Sequence, residues 1–410
     1  MANEPAPNGF EKKSHDQYDN PLTRQDVETI IAKSLGPNYK IHNYYMRNHS
    51  NEHVGFMGAH RNFIVEVSKE GSTQKELHTY FLKSVPYNVY DHAKFVKESK
   101  MFHKETSFYE LIMPELMKSS RDKSWAPQCY LVKDDALVFE NLVIKNYTMK
   151  ADRLLDVASL EAALSSLAKM HAASMLAEKR LGKSFLDMYP DLMEEILFSR
   201  TKLFAMWNKC GIDVLTNIAK YLGLDDEVVP KVCNLIYEKL RPSKTRRNVI
   251  NHGDAWANNL MFNESKCILV DFQLVRYVPA MSDVALLFYH NAKKELRDKY
   301  EMNLLKHYHT TLCDVLKDGG VDIPEFVDIV DEYEEMRIVG LVTTNMYYQI
   351  NQIPGDKQLE LMSTSQGFND LLFRDRVDLI LGFMKTDGRY REILSSVVKE
   401  LVESAPKYLK

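Results

Sequence analysis

The 410-residue sequence predicts an α+β protein in which a small, mostly-β lobe carrying one helix precedes a larger and mainly helical lobe. Two patterns lead to this prediction. Between residues 40 and 140, short β-rich runs alternate with turns, and one helical pattern interrupts them from about 91 to 118. Beyond residue 150, long stretches repeat their apolar residues at helical spacing, and only residues 248 to 278 have the pattern of strands.

The elements of the small lobe follow from local patterns. Apolar residues at helical spacing predict a helix that begins near Thr23. The β-rich run 63–67 stops at a polar turn, and the chain returns over 77–83, so these residues predict a hairpin. Two more strands are expected over 128–132 and 136–139.

The expected domains are a disordered tail over residues 1–21, a first lobe over 22–140 and a second lobe over 141–410. The tail is polar and contains prolines, unlike a secretory signal peptide. Helical spacing in the second lobe predicts long helices over residues 159–178, 192–221, 226–240, 284–316, 323–351 and 374–401.

Composition excludes several classes of protein. The net charge of −4 and the pI of about 6.4 argue against a nucleic-acid partner. No run approaches the roughly 18 apolar residues that a membrane span requires. The five cysteines form no CxxC pair, which predicts free thiols in a reducing compartment. We therefore expect a cytoplasmic protein without a membrane span.

The stretch 249–262, VINHGDAWANNLMF, places polar residues between two apolar runs, as in a loop held between buried strands. His252 is followed by Asp254, Asn259 stands five residues later, and Asp271 ends an apolar run twelve residues beyond. Phosphoryl transfer from ATP requires one carboxylate at the acceptor hydroxyl, and an Asn oxygen and a second carboxylate that hold Mg²⁺. A short hairpin between Asn259 and Asp271 would bring both metal ligands to neighbouring strand ends.

This ordered set resembles the small-molecule kinases of the choline kinase and aminoglycoside phosphotransferase superfamily, whose fold is bilobal and protein-kinase-like. The residues 252–256, 259–262 and 271–273 resemble more narrowly the ecdysteroid kinase-like family. Protein kinases have Arg where this chain has Gly253 and Gly where it has Gln273. Further segments resemble the same family, namely residues 80–86, 102–109, 113–116, 137–142, 167–174 and 282–285.

The resemblance implies a role for each matching residue. Asp254 is the base or hydroxyl-orienting residue, and Asn259 and Asp271 hold Mg²⁺. Lys83 contacts the α- and β-phosphates of ATP, and Glu105 fixes its ammonium group by a salt bridge. The adenine edge binds the backbone of Glu140, Asn141 and Leu142.

One part of the resemblance is poor. A glycine-rich phosphate loop should precede Phe63, but the sequence offers only Gly55 and Gly58, three residues apart. These two glycines either help to bind ATP or only form a turn.

Other residues near the motifs have structural interpretations. His252 is expected to bond the loop backbone and fix the Asp254 peptide, and His171 is expected to be a core histidine. Asp283 is expected to cap the helix that follows it. Trp256 is interpreted either as packing or as a wall of the acceptor site.

The leading hypothesis is an ATP- and Mg²⁺-dependent kinase that phosphorylates a hydroxyl of a small molecule. The resemblance suggests an ecdysteroid or another hydroxylated lipid-like or xenobiotic compound. Two alternatives stay open: a catalytically silent kinase fold used for ligand binding or interaction, and a choline- or ethanolamine-type kinase. Acceptor recognition is expected in the second lobe, with Trp256 and the aromatic stretch 345–348 as candidates. A two-metal hydrolase would need more clustered His and Asp ligands.

Overall fold

The computed structural model of the protein describes residues 21–49, 58–87, 90–120, 122–151, 153–200 and 202–409. The chain forms two compact units. The first contains the described residues up to 93 and residues 129–141, and the second contains the described residues of 94–128 and 142–410. Residues 1–20 of the predicted tail and the predicted Gly55 lie outside the described residues.

The first unit is built on a five-stranded antiparallel sheet in the order β1-β2-β3-β5-β4. Its strands are β1 Tyr39–Asn48, β2 Ala59–Lys69, β3 Glu76–Ser84, β4 Cys129–Lys133 and β5 Ala136–Glu140. The predicted hairpin is confirmed as β2 and β3. In the central strand β3, Lys83 pairs with His60 of β2 on one side and with Leu137 of β5 on the other.

One helix of this unit, α1 (Arg24–Leu35), packs its apolar face against the core of the sheet. The helix begins where the sequence predicts, because Thr23 and Asp26 form a reciprocal capping box. The Thr23 hydroxyl accepts the Asp26 N–H at 3.2 Å, and the Asp26 carboxylate accepts the Thr23 N–H at 2.8 Å.

The second unit is mainly helical. The helices after β3 are α2 Tyr90–Glu98, which crosses from the first unit into the second, α3 Met101–Ser107, α4 Met113–Ser119, α5 Val157–Leu181, α6 Phe185–Met188, α7 Pro190–Met193, α8 Lys202–Tyr221, α9 Val228–Asn234 and α10 Ile236–Lys239. The later ones are α11 Met281–Asn291, α12 Lys294–Leu316, α13 Phe326–Asn351, α14 Gly355–Met362, α15 Ser365–Phe373, α16 Val377–Thr386 and α17 Gly388–Tyr408. Helix α5 packs against α12, and α11 packs against α13.

Three predicted helices divide, and the stretch 226–240 is one of them, forming α9 and α10. The helix predicted over 192–221 is confirmed as α8, whereas residues 194–200 before it are not helical. The other two predicted helices divide because a residue at each junction has extended backbone. The stretch 284–316 divides at Ala292, whose φ is −131° and ψ 135°, and forms α11 and α12. The stretch 374–401 divides at Asp387, whose side chain accepts the Tyr390 N–H at 2.8 Å and starts α17. Helices α14 and α15 were missed.

Two small antiparallel pairs of strands lie within the helical unit, as the sequence predicts for residues 248–278. Strand β6 (Asn248–Asn251) pairs with β9 (Arg276–Pro279), and β7 (Leu260–Asn263) pairs with β8 (Lys266–Leu269). The α+β fold class is therefore confirmed, with a sheet unit and a larger helical unit. None of the described helices combines the length and hydropathy that crossing a membrane demands.

Candidate active site

A buried carboxylate holds the backbone of the loop that follows β6. Asp283 accepts the N–H of His252 at 2.5 Å and the N–H of Gly253 at 2.9 Å. Its Oδ2 also lies 3.3 Å from Nε2 of the buried His171, whose Nδ1 bonds the Tyr308 hydroxyl at 2.8 Å. Helix α11 begins at Met281 without a side-chain cap. The predicted capping role of Asp283 was therefore wrong, because tertiary contacts bring two loop amides to its carboxylate.

The tautomer of His252 follows from its two contacts. The Asp254 N–H donates to Nδ1 at 3.2 Å, so Nε2 carries the proton and donates to the Val270 carbonyl at 3.0 Å. Burial lowers the pKa of His252, which keeps this imidazole neutral. The predicted role of His252, to fix the Asp254 peptide, is confirmed, as is the core role of His171.

Asp254 is held in a buried position by side chains from two directions. Its side chain is 8% exposed, and Asn259 Nδ2 donates to Oδ2 at 2.9 Å and to the Asp254 carbonyl at 3.0 Å. The Tyr347 hydroxyl of α13 is hydrogen-bonded to the same carboxylate. Burial and the charge of Asp271 raise the pKa of Asp254 to about 7. A carboxylate with this pKa can accept a proton at neutral pH.

The hairpin of β7 and β8 places Asn259 and Asp271 at one end. Leu260 pairs with Leu269, and beyond this pair the Val270 N–H donates to the Asn259 carbonyl at 3.0 Å. The predicted arrangement on neighbouring strand ends is therefore confirmed. Asp271 has a φ of 68°, a left-handed conformation that is uncommon outside glycine and frequent at functional sites.

The residue after Asp271 ties this end of the hairpin to the helix that carries Glu105. Phe272 is fully buried and stacks on Phe108 at 4.8 Å and 15°. Phe108 opens the π-helical turn that follows α3, and Glu105, 1% exposed, lies in α3. The His252 ring lies 4.7 Å from the other residue of this stack, Phe272. The predicted Glu105 and Asp271 thus belong to one packed region of the second unit.

The first unit contains the predicted lysine. Lys83 is 4% exposed within β3. A Cβ atom on Gly58 would lie 3.3 Å from both Cγ and Cε of Lys83, so the absence of a side chain there leaves room for the lysine stem. Glu105 lies in the second unit, so the predicted salt bridge would join the two units and stays a prediction.

The predicted adenine-binding backbone spans the end of β5. Glu140 is the last residue of β5, and Asn141 Nδ2 donates to Asn62 Oδ1 of β2 at 3.2 Å. Leu142 belongs to the second unit, where it packs with Met261 and Ile268 of the hairpin. The role of this segment in binding a nucleotide stays a prediction.

The sequence reasoning missed a buried ion pair beside the loop. Arg276 lies 2.8 Å from Glu195, and its Nη2 donates to the Gly253 carbonyl at 2.5 Å. Lys104 is also buried, donates to the Glu194 carbonyl, and has its pKa lowered to about 8 by burial. The available signal was an arginine within the otherwise apolar run 274–279.

The aromatic candidates separate in the structure. Tyr347 bonds Asp254, and its ring contacts Trp207 edge-on at 6.2 Å. Its neighbour Tyr348 instead donates to the His290 carbonyl at 2.7 Å, a contact between two helices. Trp256 is half-buried and has the Arg153 guanidinium 5.8 Å from its ring centre, so its role in the acceptor site stays a prediction.

Comparison with known proteins adds a family. Residues 55–321, more than half of the chain, match the model of the ecdysteroid kinase-like family. No curated protein matches the chain.

Several solved structures are similar at low identity. An amicoumacin kinase, solved with AMP-PNP and Ca²⁺, is 12% identical, with a TM-score of 0.44 and coverage of 95% of this chain and 96% of that chain. A choline kinase from Cryptosporidium parvum Iowa II is 12% identical, with a TM-score of 0.40 and coverage of 91% and 99%. A spectinomycin phosphotransferase, solved with ADP and spectinomycin, is 14% identical, with a TM-score of 0.40 and coverage of 94% and 99%.

Proposed function

The chain belongs to the ecdysteroid kinase-like family, which confirms the predicted kinase, and from this premise we propose how it acts. It transfers the γ-phosphoryl group of ATP, with Mg²⁺, to a hydroxyl group of an uncharged small molecule that has an apolar body. An ecdysteroid or another hydroxylated lipid-like or xenobiotic compound fits this description. The protein works in the cytoplasm.

One observation carries this proposal. A single hairpin brings Asn259 and Asp271 to the same end, and Asn259 is at the same time bonded to the buried Asp254. The residue at the acceptor hydroxyl and the residues at the metal are thereby built into one rigid loop. Phosphoryl transfer depends mainly on positioning and charge stabilisation, and a rigid loop supplies the positioning.

Each side chain of the loop then has a distinct task. Asp254 accepts a hydrogen bond from the acceptor hydroxyl and takes up its proton as the phosphoryl group is transferred. Asn259 keeps the Asp254 carboxylate in place through its amide N–H, and the Oδ1 oxygen of the same amide can face a metal ion. The neutral His252 holds the Asp254 peptide and takes no proton itself.

The residues at the proposed metal site suit Mg²⁺. Asn259 and Asp271 offer an amide oxygen and a carboxylate, which are hard ligands. No group of three or more His, Cys, Asp or Glu side chains that could hold a metal occurs within the described part of the chain. Two ligands agree with Mg²⁺, which retains waters and binds substrate phosphates. When bound, the ion would neutralise the charge that develops on the phosphates.

In the first unit, we propose that Lys83 binds the α- and β-phosphates of ATP. We also propose that Gly58, with Gly55, lets the backbone approach these phosphates. A nearly buried lysine beside a glycine agrees with this assignment. Glu105 would pair with Lys83, and the backbone of residues 140–142 would receive the adenine edge.

The surroundings of Asp254 favour an uncharged acceptor. The charged groups that act on Tyr347, which contacts Asp254, include Arg276 and Glu195. Glu195 is already paired with Arg276, so it is a poor partner for an ammonium group. The rings of Trp207 and Tyr347 lie nearby. Because aromatic rings bind ammonium groups as well as apolar bodies, the preference for an uncharged alcohol over choline or ethanolamine rests on the pairing of Glu195 with Arg276.

The proposal is tested directly by incubating the protein with ATP, Mg²⁺ and a panel of hydroxylated steroids, lipid-like alcohols and choline. We expect mass spectrometry to detect a steroid or lipid-like product heavier by one phosphoryl group. Phosphocholine as the main product would contradict the acceptor class. A Mg²⁺-dependent melting shift with ATP, without any product, would instead support the silent binding protein.

A matched pair of asparagine variants tests the metal site. We expect Asn259→Ala to raise the Mg²⁺ concentration required for half-maximal turnover by about 10- to 100-fold, the loss typical for a group that ligates or supports a metal. The control is Asn258→Ala, since the neighbouring asparagine has no assigned metal contact. Equal Mg²⁺ dependence of the two variants, measured by titration of the ion at fixed ATP, would rule out the assignment.

Adjacent tyrosines provide a second matched pair. Tyr347→Phe removes a hydrogen bond to the Asp254 carboxylate, and such bonds to charged groups contribute about 1.5–3 kcal/mol, so we expect kcat to fall at least about tenfold. Tyr348→Phe removes a bond to a backbone carbonyl and should leave kcat unchanged. The measurement is the steady-state rate of product formation. Similar losses in both variants would show that the helix, not the Asp254 contact, matters.

A further inference from the structure

A buried ion pair joins the catalytic loop to the segment before α8. Arg276, at the start of β9, is 1% exposed, and its partner Glu195 is 12% exposed in its side chain. One guanidinium nitrogen lies 2.8 Å from Glu195 Oε2, and another donates to the Gly253 carbonyl at 2.5 Å. Arg276 thus connects Glu195 to the peptide bond between Gly253 and Asp254.

Gly253 makes room for this guanidinium. Its φ is +79°, and a Cβ atom there would lie 2.0 Å from the Leu274 carbonyl oxygen and 2.8 Å from Arg276 Nε. Only glycine adopts this conformation without strain and leaves this space. Where the protein-kinase template has an arginine, this chain therefore has a glycine, and an arginine from β9 lies against it.

Glu195 continues the connection on its other side. Its Oε1 accepts the N–H of Leu197 at 2.8 Å and of Phe198 at 2.9 Å. The Phe198 ring packs edge-on against Trp207 of α8 at 5.9 Å. Trp207 also contacts Tyr347, and Tyr347 is hydrogen-bonded to Asp254. The series of contacts that starts at the Gly253 carbonyl therefore ends at the next residue, Asp254.

The energetics favour a geometric role for this pair. Burying two charged groups removes their hydration, which costs free energy. A buried ion pair is therefore often no more stabilising than apolar residues of similar size. Arg276 Nε and Nη1, the nitrogen that faces Glu195, have no hydrogen-bond partner within the described residues, so charge and not hydrogen bonding holds the pair and the pair is not optimised for stability. Arginine offers several donors in a fixed planar fork, which lets it hold two acceptors in a defined relation.

We propose that Arg276 and Glu195 form a positioning pair, which fixes the Gly253–Asp254 peptide against the Phe198 and Trp207 side of the site where the acceptor is bound. This inference rests on the proposed function and adds to it two residues that touch neither nucleotide nor reacting atoms. Displacing a reacting group by about 1 Å can reduce the rate about 100-fold, so a loose loop should lower kcat.

The test replaces the pair with apolar residues, which separates positioning from stability. The double variant Glu195→Leu with Arg276→Met is compared with Glu400→Leu with Arg297→Met. The control pair is similarly buried, with side chains 7% and 16% exposed, and Arg297 likewise bridges its carboxylate to a backbone carbonyl, that of Ala292 at 2.7 Å.

Two rates are measured. One is the release of inorganic phosphate from Mg-ATP without acceptor, and the other is product formation with the member of the acceptor panel that the wild-type protein phosphorylates. Thermal unfolding and Mg-ATP binding of each variant are recorded alongside. In the 195/276 variant we expect kcat to fall about 10- to 100-fold with KM for ATP unchanged, and in the control no change. The conservative variant Arg276→Lys should retain part of the wild-type kcat, because lysine keeps the positive charge but lacks the planar fork of donors.

Wild-type kcat in the 195/276 variant would overturn the proposal. So would a loss of kcat that is matched by the control, or one that occurs only with loss of folding or of Mg-ATP binding. A wild-type protein that binds no Mg-ATP, or that binds it and phosphorylates nothing, would contradict the proposed function itself and remove the basis of this inference.

Discussion

Asp254→Asn is expected to abolish phosphorylation of the acceptor, with a fall in kcat of about 10²- to 10⁴-fold, while Mg-ATP still binds. The variant preserves the size of the side chain and can still accept the Asn259 N–H through its amide oxygen. It loses the negative charge and the capacity to take the proton of the acceptor hydroxyl. The loss should therefore appear in kcat and not in the affinity for nucleotide.

Two measurements make this result decisive. Product formation is followed by mass spectrometry with the acceptor panel, and nucleotide binding by the Mg²⁺-dependent shift in melting temperature. The unfolding midpoint without ligand shows whether the variant is folded. Turnover near the wild-type rate in Asp254→Asn would end the assignment of this residue, whatever the identity of the acceptor.

Asp283→Asn is expected to cause the largest loss of stability, about 3–5 kcal/mol, the range for removing one partner from a buried charged network. The carboxylate accepts two adjacent loop amides and faces His171, so an asparagine would satisfy fewer partners and present N–H groups to N–H groups. The measurement is urea unfolding of the intact chain. The control is Asp387→Asn, whose side chain accepts one amide at the start of α17. Little change is expected there, because asparagine caps a helix about as well as aspartate.

The stability of the protein in acid should depend on the same carboxylate, that of Asp283. Burial alone would raise the pKa of Asp283, but the hydrogen bond and charge of His171 and the N–H of Gly253 outweigh it and hold the pKa below its ordinary value. The ionised form is therefore favoured by folding, and its contribution is present above the ordinary pKa of about 3.9 and lost as the pH falls below it. Equal losses of unfolding free energy for Asp283→Asn and Asp387→Asn at neutral pH would show that Asp283 contributes no more than the capping residue Asp387.

The residues that the sequence revealed lie close together along the chain. Asp254, Asn259 and Asp271 occur within one loop and hairpin, so their spacing in sequence determines their spacing in the fold. Long helices were also predictable, because helical periodicity persists over many residues. The junctions at Ala292 and Asp387 were not, since a single extended residue interrupts the apolar pattern only slightly.

Residues that tertiary packing brings together could not be found in this way. Tyr347 lies far along the chain from Asp254, and Glu195 far from Arg276, and no local pattern connects them. Asp283 shows a different difficulty, because a local rule for helix starts gave the wrong role. The capping rule applies to free helix ends, whereas here two loop amides compete successfully for the carboxylate.

The close fit of Gly253 and Arg276 has a consequence for how sequences of this kind diverge. Any side chain at position 253 collides with the guanidinium or with the Leu274 carbonyl, so a mutation there cannot be accepted while Arg276 stays in place. Conversely, loss of Arg276 removes part of the constraint that demands glycine. Because the Leu274 carbonyl and the positive φ remain, glycine is expected to persist at position 253 even where Arg276 is lost, and a chain that departs from this glycine has rebuilt the backbone of its loop.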